Sequence, residues 1–212
     1  MGAVAQGRFI TLEGGEGAGK STQARLLGER LTARGEQVVV TREPGGSPGA
    51  ESIRALLVTG EADRWSPVTE TLLMYAARRD HIERTIAPAL AAGTWVVSDR
   101  FADSTRAYQG AGGGAPASLI QTLERHVLGE NRPDLTLILD LPAEIGMART
   151  LARNHAETRF EAKGGAFHQR LREGFLAIAR VEADRCVVID ASQDADAVAA
   201  AIWAAVEARL GP

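Results

Sequence analysis

A glycine-rich segment near the beginning of the chain contains residue types that bind phosphate groups. Residues 14–21 fit the pattern G-x-x-x-x-G-K-S/T, with Gly14, Gly19, Lys20 and Ser21 at its defined positions. Glycines allow consecutive backbone N–H groups to point at one phosphate, and a helix that follows adds the positive end of its dipole. Lys20 would contact the β- and γ-phosphates, and the Ser21 hydroxyl would bind Mg²⁺. The segment predicts a nucleoside triphosphate site made by Gly14, Gly15, Glu16, Gly17, Ala18, Gly19, Lys20, Ser21 and Thr22.

Arginine supplies nearly all of the positive charge in the chain. Of the 24 basic residues only Lys20 and Lys163 are lysine, so a lysine in the glycine-rich segment is unusual for this sequence. Arginine binds phosphate through a bidentate fork and stays charged, which suits it to hold an acceptor phosphate or to neutralise a transferring phosphoryl group. The arginine-bearing segments of most interest are residues 41–46, 72–81, 98–110 and 149–159.

Short apolar runs alternate with longer segments of helical spacing. Strands are predicted at residues 8–12, 37–41, 94–98, 135–139 and 186–189. Helices are predicted at residues 20–34, 50–58, 68–92, 117–128, 143–153, 165–182 and 194–210. This alternation predicts an α/β fold with a doubly wound, five-stranded parallel sheet and helices on both faces. Residues 110–114 and 154–165 are predicted as mobile loops, because neither segment has enough apolar residues to anchor itself.

Charged residues follow two of the predicted strands. Arg42 and Glu43 come after the second strand, and Asp99 and Arg100 come after the third. Ligands of an open α/β sheet bind at the carboxyl edge of its strands, so we expect these residues to converge on the glycine-rich segment. The sequence therefore predicts a second phosphate-bearing ligand beside the triphosphate.

Two common classes of triphosphate-binding protein lack support in this sequence. A GTP-dependent switch would carry N-K-x-D, but Gly19 precedes Lys20 and Ala162 precedes Lys163. A transport-type ATPase would carry L-S-G-G-Q, which no segment resembles. A small kinase remains, and the arginines support it. The alternatives are a kinase for another small acceptor, such as a deoxynucleoside, and a non-catalytic ATP-binding module.

Length and composition set further limits. The 212 residues, 45% hydrophobic and 24% charged, suggest one domain or one domain with a small lid. A net charge of −3 argues against a nucleic-acid-coating protein.

No apolar run reaches the roughly 18 residues that a membrane span needs, and the first residues lack the pattern of a secretory signal, so we expect a cytoplasmic protein. Cys186, the single cysteine, excludes an internal disulfide and lies in an apolar run typical of a buried strand.

Several motifs together resemble the thymidylate kinase family. They are residues 9–14 joined to the glycine-rich segment, Thr41-Arg42-Glu43-Pro44-Gly45-Gly46, and Asp99-Arg100-Phe101 followed by Ser104 and Ala107-Tyr108-Gln109-Gly110. The resemblance extends from Arg8 to about Asp190. It implies transfer of the γ-phosphate of ATP to dTMP with Mg²⁺, and a homodimer. We accordingly expect residues 1–212 to form a single kinase domain with a lid at about residues 153–165.

The resemblance also implies roles for individual residues. Arg54 and Arg100 would hold the dTMP phosphate, Arg78 and Gln109 would read the thymine edge, and Tyr108 would crowd the 2′ position of the sugar. The dTMP site would also include Glu43, Met74 and Thr105. Glu16 would orient Arg100. Asp99 is our candidate for a magnesium ligand through water, with Asp140 as the rival for that role.

The sequence departs from the usual family pattern in three places. Met74 stands where the family usually has a phenylalanine that stacks on thymine, and a thioether can supply only a polarizable contact there. Phe101 replaces the tyrosine of the usual Asp-Arg-Tyr motif, and residues 158–161 read Thr-Arg-Phe-Glu instead of Asp-Arg-Ile-Glu.

The catalytic arginine of the family lies either in the phosphate-binding loop or in the lid. Here Gly17 follows Glu16, so the loop has no arginine to supply. The lid must then provide it, from Arg153 or Arg159. Arg149 would lie against the adenine face, because a planar guanidinium can stack on an aromatic ring.

Overall fold

Five parallel strands form one sheet in the computed structural model, which describes residues 7–61, 63–151 and 164–211. The strands are β1 (Phe9–Glu13), β2 (Val38–Arg42), β3 (Trp95–Asp99), β4 (Leu135–Asp140) and β5 (Cys186–Asp190). Their order across the sheet is β2-β3-β1-β4-β5. The predicted fold class is confirmed. Every strand ends one residue later than its apolar run, so each includes a charged residue at the carboxyl edge: Glu13, Arg42, Asp99, Asp140 and Asp190.

Helices connect the strands and cover both faces of the sheet. They are α1 (Lys20–Ala33), α2 (Pro48–Val58), α3 (Pro67–His81), α4 (Ala87–Ala91), α5 (Ala102–Thr105), α6 (Ala117–Leu128), α7 (Ala143–Leu151), α8 (Gly165–Val181) and α9 (Ala195–Leu210). The Ser66 hydroxyl caps α3 by accepting the Thr69 N–H, and Asp194 caps α9 by accepting the Ala197 N–H. No helix of the described residues is both long and apolar enough to span a membrane.

One predicted helix and one predicted loop differ in detail from the structure. The helix predicted at residues 68–92 is interrupted by a π-helical turn at Ile82–Ile86. The loop predicted at residues 110–114 belongs in part to a second π-helical turn, Arg106–Gly112. Its last residue, Gly112, lies so close to the Phe167 ring that a Cβ there would contact the ring at 2.6 Å. Packing on α8 therefore supplies the order that the glycine-rich composition does not predict.

Apolar packing on both faces fixes the carboxyl edge in place. On one face, Leu27 and Leu31 of α1 and Trp203 of α9 pack on the strands. On the other face, a second cluster includes Phe9, Tyr75 and Phe101, and a third includes Phe167, Phe175 and Cys186. Burying each such large side chain contributes about 1.5–3 kcal/mol. Cys186 is buried, as predicted, and burial raises the pKa of its thiol to about 11.

Candidate active site

A cavity of about 590 Å³ opens at the carboxyl edge of β1, β2 and β3. The strand register places Asp99 beside Leu12 on one side and beside Arg42 on the other, so the segments after these strands meet. This convergence agrees with the sequence prediction. The predicted site residues that line the cavity are Glu16, Gly17, Gly19, Lys20, Ser21, Thr22, Glu43, Arg54, Met74, Arg78, Asp99, Arg100, Thr105, Tyr108 and Gln109.

The glycine-rich segment joins β1 to α1 and forms one wall of the cavity. Gly17 has φ 70°, a left-handed conformation that favours glycine, and a Cβ there would collide with the carbonyl oxygen of Gly146. Lys20 is buried, and its Nζ donates to the Gly15 carbonyl oxygen at 2.6 Å. Burial and the positive charge of Arg100 lower the pKa of Lys20 to about 8, although Glu16 and Asp99 oppose the shift. The ammonium is thus held in the loop by a carbonyl that a phosphate oxygen could replace.

Ser21 and Asp99 form a pair of oxygen ligands beside the glycine-rich loop. The Ser21 hydroxyl donates to Oδ2 of Asp99. The other oxygen, Oδ1, is buried and has no hydrogen-bond partner in the part of the chain that the structure describes. Mg²⁺ prefers oxygen ligands and usually keeps several waters, so this hydroxyl and carboxylate fit a Mg²⁺ ion that is also bound by phosphates. Among the described residues no three His, Cys, Asp or Glu side chains form a metal site by themselves.

Asp140, the rival magnesium ligand, is engaged elsewhere. Arg172 of α8 donates to it twice, from Nε to Oδ1 at 2.7 Å and from Nη2 to Oδ2 at 2.9 Å. This bidentate pair occupies both carboxylate oxygens. The geometry therefore favours Asp99 over Asp140.

Arg100 joins the glycine-rich loop to the opposite wall of the cavity. Its Nη1 donates to the Gly14 carbonyl oxygen at 2.9 Å, and its Nη2 donates to Glu16 Oε1 at 3.1 Å and to the Tyr108 hydroxyl at 2.8 Å. The Tyr108 hydroxyl in turn donates to Glu16 Oε1 at 2.7 Å. Burial alone would raise the pKa of Glu16, but the charges of Arg100 and Lys20 outweigh it and lower the pKa to about 2. Glu16 is therefore a carboxylate at neutral pH and fixes the direction of the Arg100 fork.

Glu13 was not among the predicted site residues, yet it holds the turn that follows β3. Its Oε1 accepts the Phe101 N–H at 2.8 Å, and its Oε2 accepts the Ser104 hydroxyl at 2.6 Å. Burial and the negative charge of Asp103 raise the pKa of Glu13 to about 7, against the lowering effects of Ser104 and Arg100. As the last residue of β1 it could have been found as a carboxylate that ends an otherwise apolar strand.

Arg78 is buried and held by several partners. Its Nε donates to Glu43 Oε2 at 2.7 Å, and its Nη2 donates to the Phe101 carbonyl oxygen and the Thr105 hydroxyl, both at 3.0 Å. Its Nη1 is buried and has no hydrogen-bond partner among the described residues. His81 lies behind this group, with Nδ1 2.9 Å from Glu43 Oε1. Arg78 lines the cavity, and with its other nitrogens engaged in the described part of the chain, the NH₂ group at Nη1 is what it can offer to a ligand.

Gln109 offers the complementary group. Its Nε2 donates to Glu70 Oε1 at 2.8 Å, and its Oε1 is buried without a hydrogen-bond partner among the described residues. Glu70 and His81 were both missed by the sequence analysis. The signal was available, because Glu70, Met74 and Arg78 are spaced four residues apart and so lie on one face of α3.

Of four further arginines predicted at the site, the structure describes Arg54 and Arg149. Arg54 lines the cavity, and its Nη1 donates to the Pro44 carbonyl oxygen at 2.5 Å. Arg149 does not line the cavity, and its Nη1 donates to the carbonyl oxygen of Ala191, directly after β5. Arg153 and Arg159 lie outside the described residues.

The chain is similar to known thymidylate kinases in both sequence and fold. The family model described as "Thymidylate kinase" matches residues 12–202. The thymidylate kinase of Caulobacter vibrioides is 70% identical over 98% of this chain and 100% of its own length, and that of Nitrobacter winogradskyi is 54% identical over 96% and 90%. The crystal structure of thymidylate kinase from Ehrlichia chaffeensis matches with a TM-score of 0.78 and 34% identity, covering 95% of this chain and 99% of that one. With this cavity geometry and these matches over nearly its full length, the chain belongs to the thymidylate kinase family.

Proposed function

We propose that this chain catalyses the reaction for which its family is named, the transfer of the γ-phosphoryl group of ATP to dTMP to give ADP and dTDP. The observation that carries the proposal is that one cavity combines a triphosphate-binding loop with arginines suited to a second phosphate. Buried polar atoms suited to a pyrimidine base complete the same cavity. A kinase that transfers a phosphoryl group from one nucleotide to another needs all three features in one place.

The donor side of the site would bind ATP. The backbone N–H groups of residues 14–20 and the N-terminus of α1 would hold the phosphates, and Lys20 would move from the Gly15 carbonyl oxygen to a phosphate oxygen. Ser21 would bind Mg²⁺ directly and Asp99 would bind it through water. When bound, Mg²⁺ would neutralise part of the phosphate charge. Arg149 would lie against adenine.

The acceptor side would bind dTMP. Arg54 and Arg100 would hold its phosphate, and Glu16 would keep the Arg100 fork in its orientation. Nη1 of Arg78 and Oε1 of Gln109, which have no partner in the described part of the chain, can donate to O4 of thymine and accept its N3–H, respectively. Met74 would contact the base, and Tyr108 would face the 2′ position of the sugar. O4 and N3–H of the base thus each have one partner of the right kind.

Phosphoryl transfer between the two nucleotides is mainly a problem of position and charge. The phosphate oxygen of dTMP is already a nucleophile, so an in-line transfer requires no covalent intermediate on the protein. The charge on the moving phosphoryl group must be stabilised by nearby cations. Lys20 is one of them. Gly17 has φ 70° and no space for a Cβ, which disfavours an arginine in the loop and supports a lid arginine, Arg153 or Arg159.

A nucleotide panel tests this assignment. Initial rates of ADP formation from ATP and Mg²⁺ would be measured with dTMP, dUMP, thymidine, shikimate and no acceptor. We expect the highest kcat/KM with dTMP. A preference for thymidine over dTMP would instead indicate a kinase for a non-phosphorylated acceptor, in which Arg54 and Arg100 would have no phosphate to bind. ATP binding without turnover on any acceptor would indicate a non-catalytic module.

We also propose that the chain acts as a homodimer and as a single kinase domain whose lid is at about residues 153–165. Leu56 on α2 and Val68 and Leu72 on α3 are between 41% and 47% exposed, and these two helices pack together, so they offer an apolar surface to a second copy. Sedimentation equilibrium of the wild type and of Leu72→Glu would test the dimer. A reaction between free nucleotides is expected in the cytoplasm.

A further inference from the structure

We propose that Glu70 determines which pyrimidine base the acceptor site selects, by fixing the orientation of the Gln109 amide. The proposal rests on the proposed function and extends it to a residue that does not touch the base. Glu70 is thus a specificity-positioning residue. It lies in the first turns of α3 and is only 3% exposed, while Gln109 is 1% exposed.

The hydrogen bond between Glu70 and Gln109 has a fixed polarity. A carboxylate accepts hydrogen bonds and cannot donate them, whereas an amide has one donating and one accepting end. With Glu70 Oε1 2.8 Å from Gln109 Nε2, the nitrogen must face Glu70, and the oxygen is the end of the amide that remains for a ligand. The reversed amide would place two oxygens against each other in a buried position, at the full cost of an unmade hydrogen bond.

With the amide so oriented, Arg78 and Gln109 offer a base one donor group and one acceptor. Glu43 holds Nε of Arg78, and Nη1 of Arg78 is a donor without a partner among the residues that the structure describes. Gln109 lines the same cavity, and its Oε1 is an acceptor that also has no partner among those residues. A pyrimidine-2,4-dione such as thymine or uracil offers an acceptor at O4 and a donor at N3, which complements this pattern. Cytosine offers a donor at N4 and an acceptor at N3, so it opposes both groups.

Packed helical elements carry the side chains of this pattern. Glu70, Met74 and Arg78 lie on one face of α3, so a single helix carries both the carboxylate and the donor. Gln109 comes from the π-helical turn Arg106–Gly112, which packs on α8. A site built to hydrogen-bond a substrate can reject an analogue that lacks the matching groups by 10⁴-fold or more. The buried carboxylate would contribute to that rejection by preventing the amide from turning over.

The variant Glu70→Gln tests this role directly. Its amide can donate to Gln109 Oε1, so Gln109 can turn Nε2 toward the base and satisfy N3 of cytosine. We expect the ratio of kcat/KM for dCMP to that for dTMP to rise about tenfold, the value of one hydrogen bond gained or lost. The ratio for dUMP to dTMP should stay unchanged, because both bases present the same edge to Gln109. KM for ATP should also remain within a few-fold.

Two control variants separate this effect from a general loss of structure. Glu70→Asp keeps an acceptor-only side chain and should retain the wild-type preference for dTMP over dCMP. Glu124→Gln alters another buried carboxylate, which accepts from Arg106 Nε at 2.7 Å and lies outside the cavity lining. It should lower the melting temperature without changing either base ratio. Melting temperatures of all variants show whether each one folds.

The ratio of kcat/KM for dCMP to that for dTMP decides whether Glu70 has this role. An unchanged dCMP to dTMP ratio in a folded, active Glu70→Gln variant would overturn it. If that variant does not fold, Gln109→Met serves instead, since it removes the accepting oxygen and should also raise the ratio. An unchanged ratio in Gln109→Met would equally overturn the proposal. If the wild type itself does not phosphorylate dTMP, the failure lies with the proposed function and not with Glu70.

Discussion

The backbone N–H of Phe101 donates to the buried carboxylate of Glu13 at 2.8 Å, across 88 positions in sequence. This contact fixes Phe101, the residue directly after Arg100. Arg100 itself has φ 72°, a conformation that non-glycine residues adopt at a cost of about 1–2 kcal/mol. The Arg100 N–H also donates to the Leu12 carbonyl oxygen at 2.9 Å, so β1 holds the turn from two sides. The end of β1 thereby aims the Arg100 side chain at the cavity.

Glu13 should make the stability of the protein depend on pH. Its pKa is raised to about 7 in the folded state, chiefly by burial and then by Asp103, against a usual value of 4.5. Between about pH 4.5 and pH 7, Glu13 therefore keeps its proton in the folded protein and loses it in the unfolded chain. The resulting stabilisation is complete below pH 4.5 and is lost as the pH rises through about 7. It amounts to about 3 kcal/mol.

The variant Glu13→Gln provides the reference for that pH dependence. Urea unfolding at pH 5 and pH 8 would give the free energy of unfolding of both proteins. We expect the wild type to lose stability relative to Glu13→Gln between the two pH values. A constant difference would mean that Glu13 titrates normally and carries its charge without penalty.

The strands and the phosphate-binding loop could be predicted from the sequence because their signals are local. Apolar runs mark the strands, and the loop motif combines glycine geometry with a lysine. The contacts made by Glu13, Glu70 and His81 could not be assigned in this way. Their partners Phe101, Gln109 and Glu43 are distant in sequence, so the pairings exist only after the sheet and α3 are in place.

The π-helical turn Arg106–Gly112 shows the same limitation. Its glycines predict a loop, but contact with α8 makes it an ordered support for Tyr108 and Gln109. Tertiary packing has overridden local propensity. The roles of the lid arginines remain predictions, because Arg153 and Arg159 lie outside the described residues.

Lys20→Ala should separate catalysis from stability. We expect kcat to fall by at least about 10²-fold, as for the loss of one donor to transition-state charge. The melting temperature without nucleotide should stay level or rise, since burial and Arg100 disfavour the ammonium and lower the pKa of Lys20 to about 8. Steady-state rates and thermal unfolding would measure the two effects. A folded variant with near-normal turnover would contradict the assignment of the loop.

Arg100→Ala should weaken dTMP binding more than ATP binding. Losing a charge-assisted contact with a phosphate costs about 1.5–3 kcal/mol, so we expect Kd for dTMP to rise about 10- to 100-fold. Kd for ATP should change only a few-fold. Separate calorimetric titrations would measure both, with Arg132→Ala as the control for loss of an arginine that is half exposed and pairs with Glu124. Equal losses for both nucleotides would place Arg100 outside the acceptor site.

The lid arginines should act on the transition state and not on the bound nucleotides. Positive charge near the moving phosphoryl group matters most as negative charge spreads over it, so loss of the right arginine should lower kcat by up to about 10³-fold. Kd values for ATP and dTMP should stay within a few-fold of the wild type. Arg153→Ala, Arg159→Ala and the double variant would be compared by single-turnover kinetics. Arg180→Ala, an exposed arginine in the last turn of α8, is the control.

The double variant decides between two accounts of the chemistry. Gly17 has neither a charged side chain nor space for a Cβ, so the glycine-rich loop offers Lys20 as its only cation. If one single variant loses kcat and the double variant loses no more, that arginine is the catalytic one. If both singles lose little and the double loses much, the two arginines substitute for each other. If kcat in the double variant falls by no more than a few-fold, the lid supplies no catalytic charge, and Lys20 with Arg100 must stabilise the transferring group on the protein side.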